Sequence, residues 1–327
     1  MDNLLAAWRE FLKGKRKKRD VQEFERNLMS NIVSLHTDLV RKAYVHGGYR
    51  EFRINDPKAR DIHKASVRDR LLHHAVYRIL YPVFDRSFIA DSFSCREGKG
   101  THKAIKRFGS FAFKISKNHT RTLWILKCDI RKFFASIDHQ RLTNILEERI
   151  PNQNILWLLS VIIKSFQING QAKGLPLGNL TSQLLVNIYM NEFDQFVKHQ
   201  LKVKAYIRYA DDFVLFSSDK RELEKMLVYI ETFLRDNLSL TLHPKKVSIR
   251  TLASGVDFLG WVHFPDHRVL RTTSRRRMFR RLKKTAYRRD SVGSYIGLLG
   301  YGNSQKLKKE INIASEQMSK RNGLGTR

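Results

Sequence analysis

The sequence predicts an α+β protein with a central antiparallel sheet. The order of helix-like and strand-like segments along the 327 residues is mixed, which favours this class over one built from regular repeats. Apolar, β-favouring residues flank Asp211 and Asp212 on both sides, which predicts two short strands joined by a tight turn that holds the two acids. A mostly apolar run at 123–128 predicts a buried strand that ends at Asp129.

The N-terminal part combines helical and strand-like segments with many basic residues. Residues 1–45 are predicted to be helical and contain a basic run at 13–19. Strand-like pieces follow between 48 and 70, and apolar residues at helical spacing predict a helix over 67–80. The loop at 94–102 lacks the spacing of a P-loop, although its glycines would let backbone approach a phosphate.

The remaining elements follow from periodicity and from capping residues. Thr181 or Ser182 is the expected N-cap of a helix that follows the turn-rich segment 173–183, and Ser274 is the expected cap of a basic helix. Further elements are predicted by the same criteria. They are helices near 139–149, 153–166, 183–200, 219–236 and 275–289, and strands at 238–242 and 257–262.

Charge dominates the composition. The chain has 62 Lys and Arg residues against 31 Asp and Glu residues, a formal net charge of +31, which predicts a polyanionic partner. Nucleic acid is the first candidate and an anionic membrane surface the second. The longest apolar stretch, 155–163, is too short to span a bilayer, and the N-terminus lacks the basic region of a signal peptide. Two cysteines give no disulfide framework and no zinc spacing. From these features together we expect a cytosolic protein, with nucleic acid rather than a membrane as its partner.

The acids themselves suggest a metal site. Adjacent carboxylates at a hairpin tip repel each other, and a divalent cation would relieve the repulsion. Asp also suits turns, and Asp129 could simply cap its strand, so neither motif is specific alone. Brought together by adjacent strands, Asp129 and Asp211 would supply oxygen ligands for two Mg²⁺ ions, with substrate phosphates completing the shells. Two such ions can promote an in-line displacement.

Together these motifs resemble the reverse transcriptase family. The matching segments, in chain order, are 129–134, 178–183, 209–212, Lys246 and 258–261. The resemblance covers roughly residues 45–300. It implies a right-hand polymerase fold with fingers, a palm of antiparallel sheet plus helices, and a short helical thumb. It also implies RNA-directed DNA synthesis with Mg²⁺.

The resemblance also implies a division of the chain. Residues 1–120 would form N-terminal basic helices and fingers. Residues 121–265 would form the palm with an interleaved fingers segment, and residues 266–327 would form the basic helical thumb. The helix from residue 274 resembles a thumb helix that lies against the minor groove of an RNA–DNA hybrid.

Catalytic roles are carried over by the same resemblance. Asp129 and Asp211 would be the main metal ligands, Ile130 would belong to the same metal-binding set, and Asp212 would be the third catalytic acid. Phe134 matches the position whose ring blocks a ribose 2′-hydroxyl, so the enzyme would choose dNTPs over rNTPs.

Nucleotide and primer contacts are implied in the same way. Lys246 resembles the lysine beside the leaving pyrophosphate, where a cation suits the growing charge on the departing oxygens. Gln183 would lie beside the templating base. The basic residues that resemble the triphosphate-neutralising residues of the fingers are Lys58, Arg60 and Arg68. The residues that resemble the primer grip, which holds the primer 3′ end at the metals, are Phe258, Leu259, Gly260 and Trp261.

One segment narrows the resemblance to a subfamily. Group II intron and retron enzymes usually carry Gln before the motif glycine and Pro at the motif's end, whereas this chain has Leu177 and Gln183. The segment 174–183, the loop 96–102 and the short thumb resemble the reverse transcriptases of diversity-generating retroelements. Those enzymes copy a template RNA with errors at adenines and work with a small basic accessory protein. The host would be a prokaryotic cell, or one infected by a phage.

Two alternatives stay open. The chain could be a group-II-like or defence-associated reverse transcriptase of ordinary fidelity. It could also be a catalytically silent RNA-binding relative, although the presence of all three acids argues against this.

Overall fold

The N-terminal helices pack on a long helix of the fingers. The computed structural model describes residues 1–55 and 59–323. The elements of this region are α1 (Asp2–Phe11), α2 (Arg19–Arg26), α3 (Leu28–Val40) and α4 (Val67–Asp85). Asn3 of α1 donates to the carbonyl of Ala75 in α4 at 3.0 Å. Asp20 of α2 accepts from Lys64 at 2.6 Å and from Arg70 at 2.5 Å, so ion pairs also hold the N-terminal helices to the fingers.

A two-stranded hairpin precedes α4. Strands β1 (Tyr49–Ile54) and β2 (Arg60–Ala65) pair antiparallel, with Tyr49 opposite Ala65. Ser66 caps α4 by accepting from the amide of Asp69. The helix predicted over 67–80 is confirmed and continues to Asp85.

The central sheet is antiparallel, as the sequence predicts. Its strands are β3 (Trp124–Asp129), β4 (Tyr206–Tyr209), β5 (Asp212–Ser217) and β6 (Ser248–Thr251), in the order β4-β5-β3-β6. Both faces are buried: Leu126 and Leu215 join the core that contains the palm helices, whereas Ile125 and Val214 join a second core with Phe108. Burial on both faces explains why these strands read as nearly continuous apolar runs.

Helices precede and separate these strands along the chain. They are α5 (Thr101–Ile115), α6 (Phe133–Ser136), α7 (His139–Glu147), α8 (Gln153–Lys164), α9 (Leu180–Gln195) and α10 (Lys220–Leu238). The helices predicted near 139–149, 153–166 and 219–236 are confirmed, and α9 continues through a π-helical turn to Gln200.

Two local predictions in this region are wrong. The N-cap position of α9 is Asn179, and the predicted caps Thr181 and Ser182 lie buried inside the helix. No strand forms over 238–242 within the described chain: Leu238 ends α10, and Leu242 makes an isolated bridge with Ile130. The alternating leucines reflect burial of Leu238 and Leu240 at the end of a helix.

The C-terminal part contains a small sheet and a helical thumb. The elements are β7 (Val256–Phe258), β8 (Trp261–His263), β9 (Arg268–Leu270), α11 (Thr272–Lys284), α12 (Arg289–Leu299) and α13 (Gln305–Gly323). The strand predicted at 257–262 is in fact the β7–β8 hairpin, whose turn residues Leu259 and Gly260 have φ values of 51° and 87°. Within the described residues, no helix has the length and apolarity that a bilayer span requires.

The predicted basic helix differs at both ends. It begins at Thr272, so Ser274 lies inside it and the predicted cap is wrong. It ends at Lys284, because Ala286 and Tyr287 adopt left-handed φ values of 46° and 52°. The thumb has a core of its own, formed by Trp261, Leu270, Met278, Leu282, Leu299 and Ile311 among others.

Candidate active site

Three acids lie at one end of the central sheet. Asp129 ends β3 and faces Asp212, the first residue of β5, across the antiparallel ladder. Tyr209 pairs with Asp212, so Ala210 and Asp211 form a two-residue turn. The amide of Ile130 donates to the carbonyl of Asp211 at 3.1 Å. Neighbouring strands therefore bring Asp129 and the acidic turn together, as expected from the sequence.

The acids perturb one another. The pKa of Asp212 is raised to about 7, chiefly by burial; the charge of Lys127 opposes the rise, and the carboxylates of Asp129 and Asp211 add to it. Burial also raises the pKa of Asp211, again with help from Asp129. Within the described part of the chain, the Oδ1 atom of Asp212 is buried and has no hydrogen-bond partner. Burial and mutual repulsion thus disfavour the charged forms of Asp211 and Asp212.

A hard cation fits this environment. The unpartnered Oδ1 of Asp212 and the carboxylates beside it are oxygen donors, which Mg²⁺ prefers. In residues 1–55 and 59–323, no three His, Cys, Asp or Glu side chains form a complete metal cage. Mg²⁺ does not need one, because it usually binds one or two carboxylates and retains water or substrate phosphate in its other positions.

A lysine lies directly against the first acid. The Nζ atom of Lys246 is 2.8 Å from Oδ1 and 2.9 Å from Oδ2 of Asp129. The amide of Lys246 bonds the carbonyl of His243, whose own amide donates to the carbonyl of Asp129 at 2.7 Å. This turn fixes the lysine at the edge of the site. Its contact with pyrophosphate stays a prediction.

A cavity joins the acids to part of the predicted primer grip. It has a volume of about 720 Å³, and its walls include Asp129, Asp212 and Lys246 together with Leu259 and Gly260. The other two grip residues point elsewhere. Phe258 packs on Phe108 with ring centroids 5.5 Å apart, and Trp261 lies in the thumb core. The hairpin turn is therefore the part of the grip that faces the acids.

Two of the predicted nucleotide contacts, Phe134 and Gln183, lie near the starts of helices. Phe134 lies two residues after Lys132, whose φ is left-handed, and is half-buried beside Phe133, with ring centroids 5.5 Å apart. Gln183 lies in the first turn of α9, half-buried. The structure gives their positions, and their roles stay predictions.

The three basic residues predicted in the fingers have different positions. Arg60 lines a cavity with Leu259 and Gly260, and its charge lowers the pKa of Asp211. The guanidinium of Arg68 pairs instead with Asp38 and lies 5.2 Å from the centroid of the Tyr44 ring. Lys58 lies outside the described residues.

Sequence analysis missed Arg208, which lies beneath the acidic turn. Its side chain is fully buried and bonds Asp194, Asn187, Ser92 and the carbonyl of Ala210. The signal was available, because Arg208 is a charged residue in an otherwise apolar strand directly before Tyr209. Such residues are almost never fully buried unless they are paired.

Comparison with known proteins agrees with this architecture. Residues 54–263 match the family model described as reverse transcriptase (RNA-dependent DNA polymerase). Protein YkfC of Escherichia coli is 24% identical over 300 residues, which cover 78% of this chain and 76% of that protein. The group II intron-encoded protein LtrA of Lactococcus lactis is 23% identical over 71% of this chain, and the chain spans 48% of its length.

Solved structures show the same fold. Apo telomerase from Candida tropicalis, truncated from its C-terminal domain, has a TM-score of 0.51 at 12% identity, over 74% of this chain and 60% of that one. Telomerase from Candida albicans, in complex with a fragment of telomeric RNA, has a TM-score of 0.51 at 13% identity, over 81% of this chain and 55% of that one. With 210 consecutive residues matched, the chain belongs to the reverse transcriptase (RNA-dependent DNA polymerase) family.

Proposed function

We propose that the chain is a magnesium-dependent RNA-directed DNA polymerase that adds dNTPs to a primer 3′ end on an RNA template. The observation that carries the proposal is the acidic end of the sheet. Asp129 and Asp212 face each other there, Asp211 lies in the adjoining turn, and the β7–β8 turn closes the same cavity. An RNA-binding relative without catalysis would not need three acids at one end of the sheet.

Each group has a role in this proposal. Asp129, Asp211 and Asp212 would hold two Mg²⁺ ions, and Ile130 belongs to the same segment. Bound Mg²⁺ supplies activation of the attacking hydroxyl and stabilisation of the leaving oxygen. Lys246 and Arg60 supply positive charge for the polyphosphate, and the turn formed by Leu259 and Gly260 positions the primer. Phe134 restricts the space around the sugar.

We also propose that the enzyme belongs to a diversity-generating retroelement and makes errors at template adenines. The segment 174–183 supports this because it is attached to the fingers. The amide of His63 in β2 donates to the carbonyl of Leu177, and Asn179 donates back to the carbonyl of His63, each at 3.0 Å. Side chains here can therefore change how tightly a nascent base pair is held, and a looser grip narrows the free-energy gap between correct and incorrect pairs. A small basic accessory protein would be its partner.

A second candidate is a group-II-like enzyme of ordinary fidelity. The similarity to LtrA favours it. Sequencing cDNA made on a defined RNA template separates the two: an excess of errors at adenines supports the first, and an even, low error rate supports the second.

Substitution of one acid tests the polymerase itself. Asp211→Asn should abolish primer extension on RNA while leaving RNA binding nearly unchanged, because the acids bind metal and the basic surface binds RNA. Asp236→Asn is the matched control, since Asp236 is an exposed acid near the end of α10 whose side chain pairs with Arg235. Full extension by the Asp211→Asn protein would refute the proposal.

A further inference from the structure

The turn that carries Asp211 has an unfavourable backbone. Ala210 adopts a left-handed φ of 57°, a region that residues with a Cβ atom seldom occupy. Nothing in the side chain of alanine compensates, because it can make no hydrogen bond of its own. A strained turn of this kind persists only where the surrounding structure holds it in place.

Arg208 supplies such a restraint. Its Nη1 atom donates to the carbonyl of Ala210 at 3.2 Å, from directly below the turn. The same nitrogen bonds Oδ1 of Asn187 at 3.3 Å, and Asn187 in turn donates to the carbonyl of Ser94 at 2.9 Å. The carbonyl of Ala210 belongs to the peptide group that leads into Asp211. A fixed carbonyl therefore fixes the direction of the acid that follows.

Asp194 holds the guanidinium in place. Nε and Nη2 of Arg208 bond its two carboxylate oxygens at 2.8 and 2.6 Å, and both side chains have 0% exposure. Tyr206 donates to the same carboxylate at 2.7 Å. A bidentate pair of this kind sets the plane of the guanidinium and leaves its remaining nitrogen in a single position.

Stability alone does not account for a buried ion pair here. Replacing such a pair by apolar residues of similar size is often neutral or stabilising, because both ions lose their hydration on folding. What apolar residues cannot do is donate a hydrogen bond to the carbonyl of Ala210. The use of arginine at this position is therefore better explained by the turn than by the core.

We propose that Arg208, oriented by Asp194, is a positioning residue that holds the Ala210–Asp211 turn in the geometry needed for metal binding. This rests on the proposed function. Arg208 would not touch substrate or metal, and it would act through the backbone of the turn. Outer partners that orient metal ligands typically account for about 10- to 100-fold in metal affinity or activity.

The test separates positioning from folding. Arg208→Met combined with Asp194→Asn removes both charges together, so no buried ion is left unpaired, and Asn can still accept from Tyr206. We expect a folded protein with unchanged RNA affinity. Mn²⁺ binding is measured by electron paramagnetic resonance on the protein with an RNA template and a DNA primer. The double variant should need about 10- to 100-fold more Mn²⁺ than the wild-type protein for half-saturation. The Mn²⁺ midpoint for primer extension should shift in parallel.

Two further variants complete the experiment. Arg208→Lys keeps a charge for Asp194 but has a single ammonium, which cannot span both Asp194 and the carbonyl of Ala210, so the same rise is expected. Ser92→Ala is the control, because it removes the 3.1 Å bond from Nη2 of Arg208 and leaves the bond to Ala210 intact. It should bind Mn²⁺ as the wild-type protein does.

The outcomes are distinct. Unchanged Mn²⁺ affinity in a folded Arg208 variant, whether or not its melting temperature falls, would overturn the inference, because Arg208 would then serve folding alone. Wild-type protein that neither binds Mn²⁺ nor extends a primer would overturn the proposed function and the inference with it. An active wild-type protein beside Arg208 variants of equal metal affinity would overturn the inference alone.

Discussion

Replacing Gly302 by alanine should displace the β7–β8 turn, which is predicted to be part of the primer grip. Gly302 lies between α12 and α13 with its Cα directly against the indole of Trp261. A Cβ atom at this position would be 2.2 Å from Cζ3, 2.8 Å from Cη2 and 2.9 Å from Cε3 of that ring. Trp261 is 1% exposed and cannot move into solvent. The ring or the loop must therefore move.

The size of the effect follows from these distances. Carbon atoms normally approach no closer than about 3.5 Å, so a shift of more than about 1 Å is required. Overpacking of this kind costs about 1–3 kcal/mol of unfolding free energy. The shift would also reach the active site, because Trp261 directly follows Gly260, which lines the cavity that contains Asp129 and Asp212. The carbonyl of Gly260 also accepts from the amide of Arg271 at 3.0 Å. A displacement of about 1 Å can lower catalysis by about 100-fold.

Urea denaturation and primer extension measure the two effects. Gly297→Ala is the control, because no described atom outside its own helix lies within 4 Å of the added Cβ. A glycine inside a helix is less favourable than alanine, so this variant should gain about 0.5–1 kcal/mol and extend primers normally. If Gly302→Ala matches the wild-type protein in both assays, Trp261 does not couple the thumb to the grip.

Three further predictions concern fidelity, salt and pH. Gln183→Pro removes a long 3.4 Å bond to Asn179 in the first turn of α9 and should lower misincorporation opposite adenine; identical cDNA error spectra would count against it. RNA affinity should fall by about 10³ or more between about 50 and 200 mM salt, given the net charge of +31, and a flat binding constant would contradict this. Because the pKa of Asp212 is raised from 3.8 to about 7, the folded state binds one more proton than the unfolded state between pH 3.8 and about 7. Metal-free stability should therefore decline as pH rises through this window and recover with Mg²⁺, and urea curves at low and high pH that coincide would refute it.

The acidic site could be predicted because its signals are local. Two acids between apolar runs specify a hairpin, and an apolar run that ends in Asp129 specifies the neighbouring strand. The β7–β8 hairpin escaped prediction for the opposite reason. Its turn uses Leu259, a residue that rarely adopts the left-handed conformation, in place of the usual asparagine or aspartate. Pairing with its neighbours, rather than local preference, stabilises that turn.

Long-range contacts explain the rest of what the sequence could not provide. The support of the acidic turn by Arg208 depends on Asp194 in α9 and on Asn187, two turns earlier on the same face of that helix. Ser92, in a distant loop, bonds the other terminal nitrogen of the same guanidinium. Helical periodicity places Asn187 and Asp194 on one face, but no periodicity links them to Arg208 or Ser92. The buried charge at position 208 indicates that a partner must exist, but only the fold determines which one.

The segment 94–102 also has contacts that the sequence did not predict. Its glycines would let backbone approach a phosphate, which stays a prediction, and its last two residues contact two different parts of the structure. Thr101 donates to the hydroxyl of Tyr209, the residue before the acidic turn, at 3.1 Å. The next residue, His102, stacks on Tyr301 of the thumb with ring centroids 3.7 Å apart. Because Gly302 adjoins Tyr301, one short segment contacts both the strand that leads to Asp211 and the loop that packs on Trp261. We therefore expect a displacement of the thumb to reach the strand before Asp211 through these two contacts as well as through the β7–β8 turn.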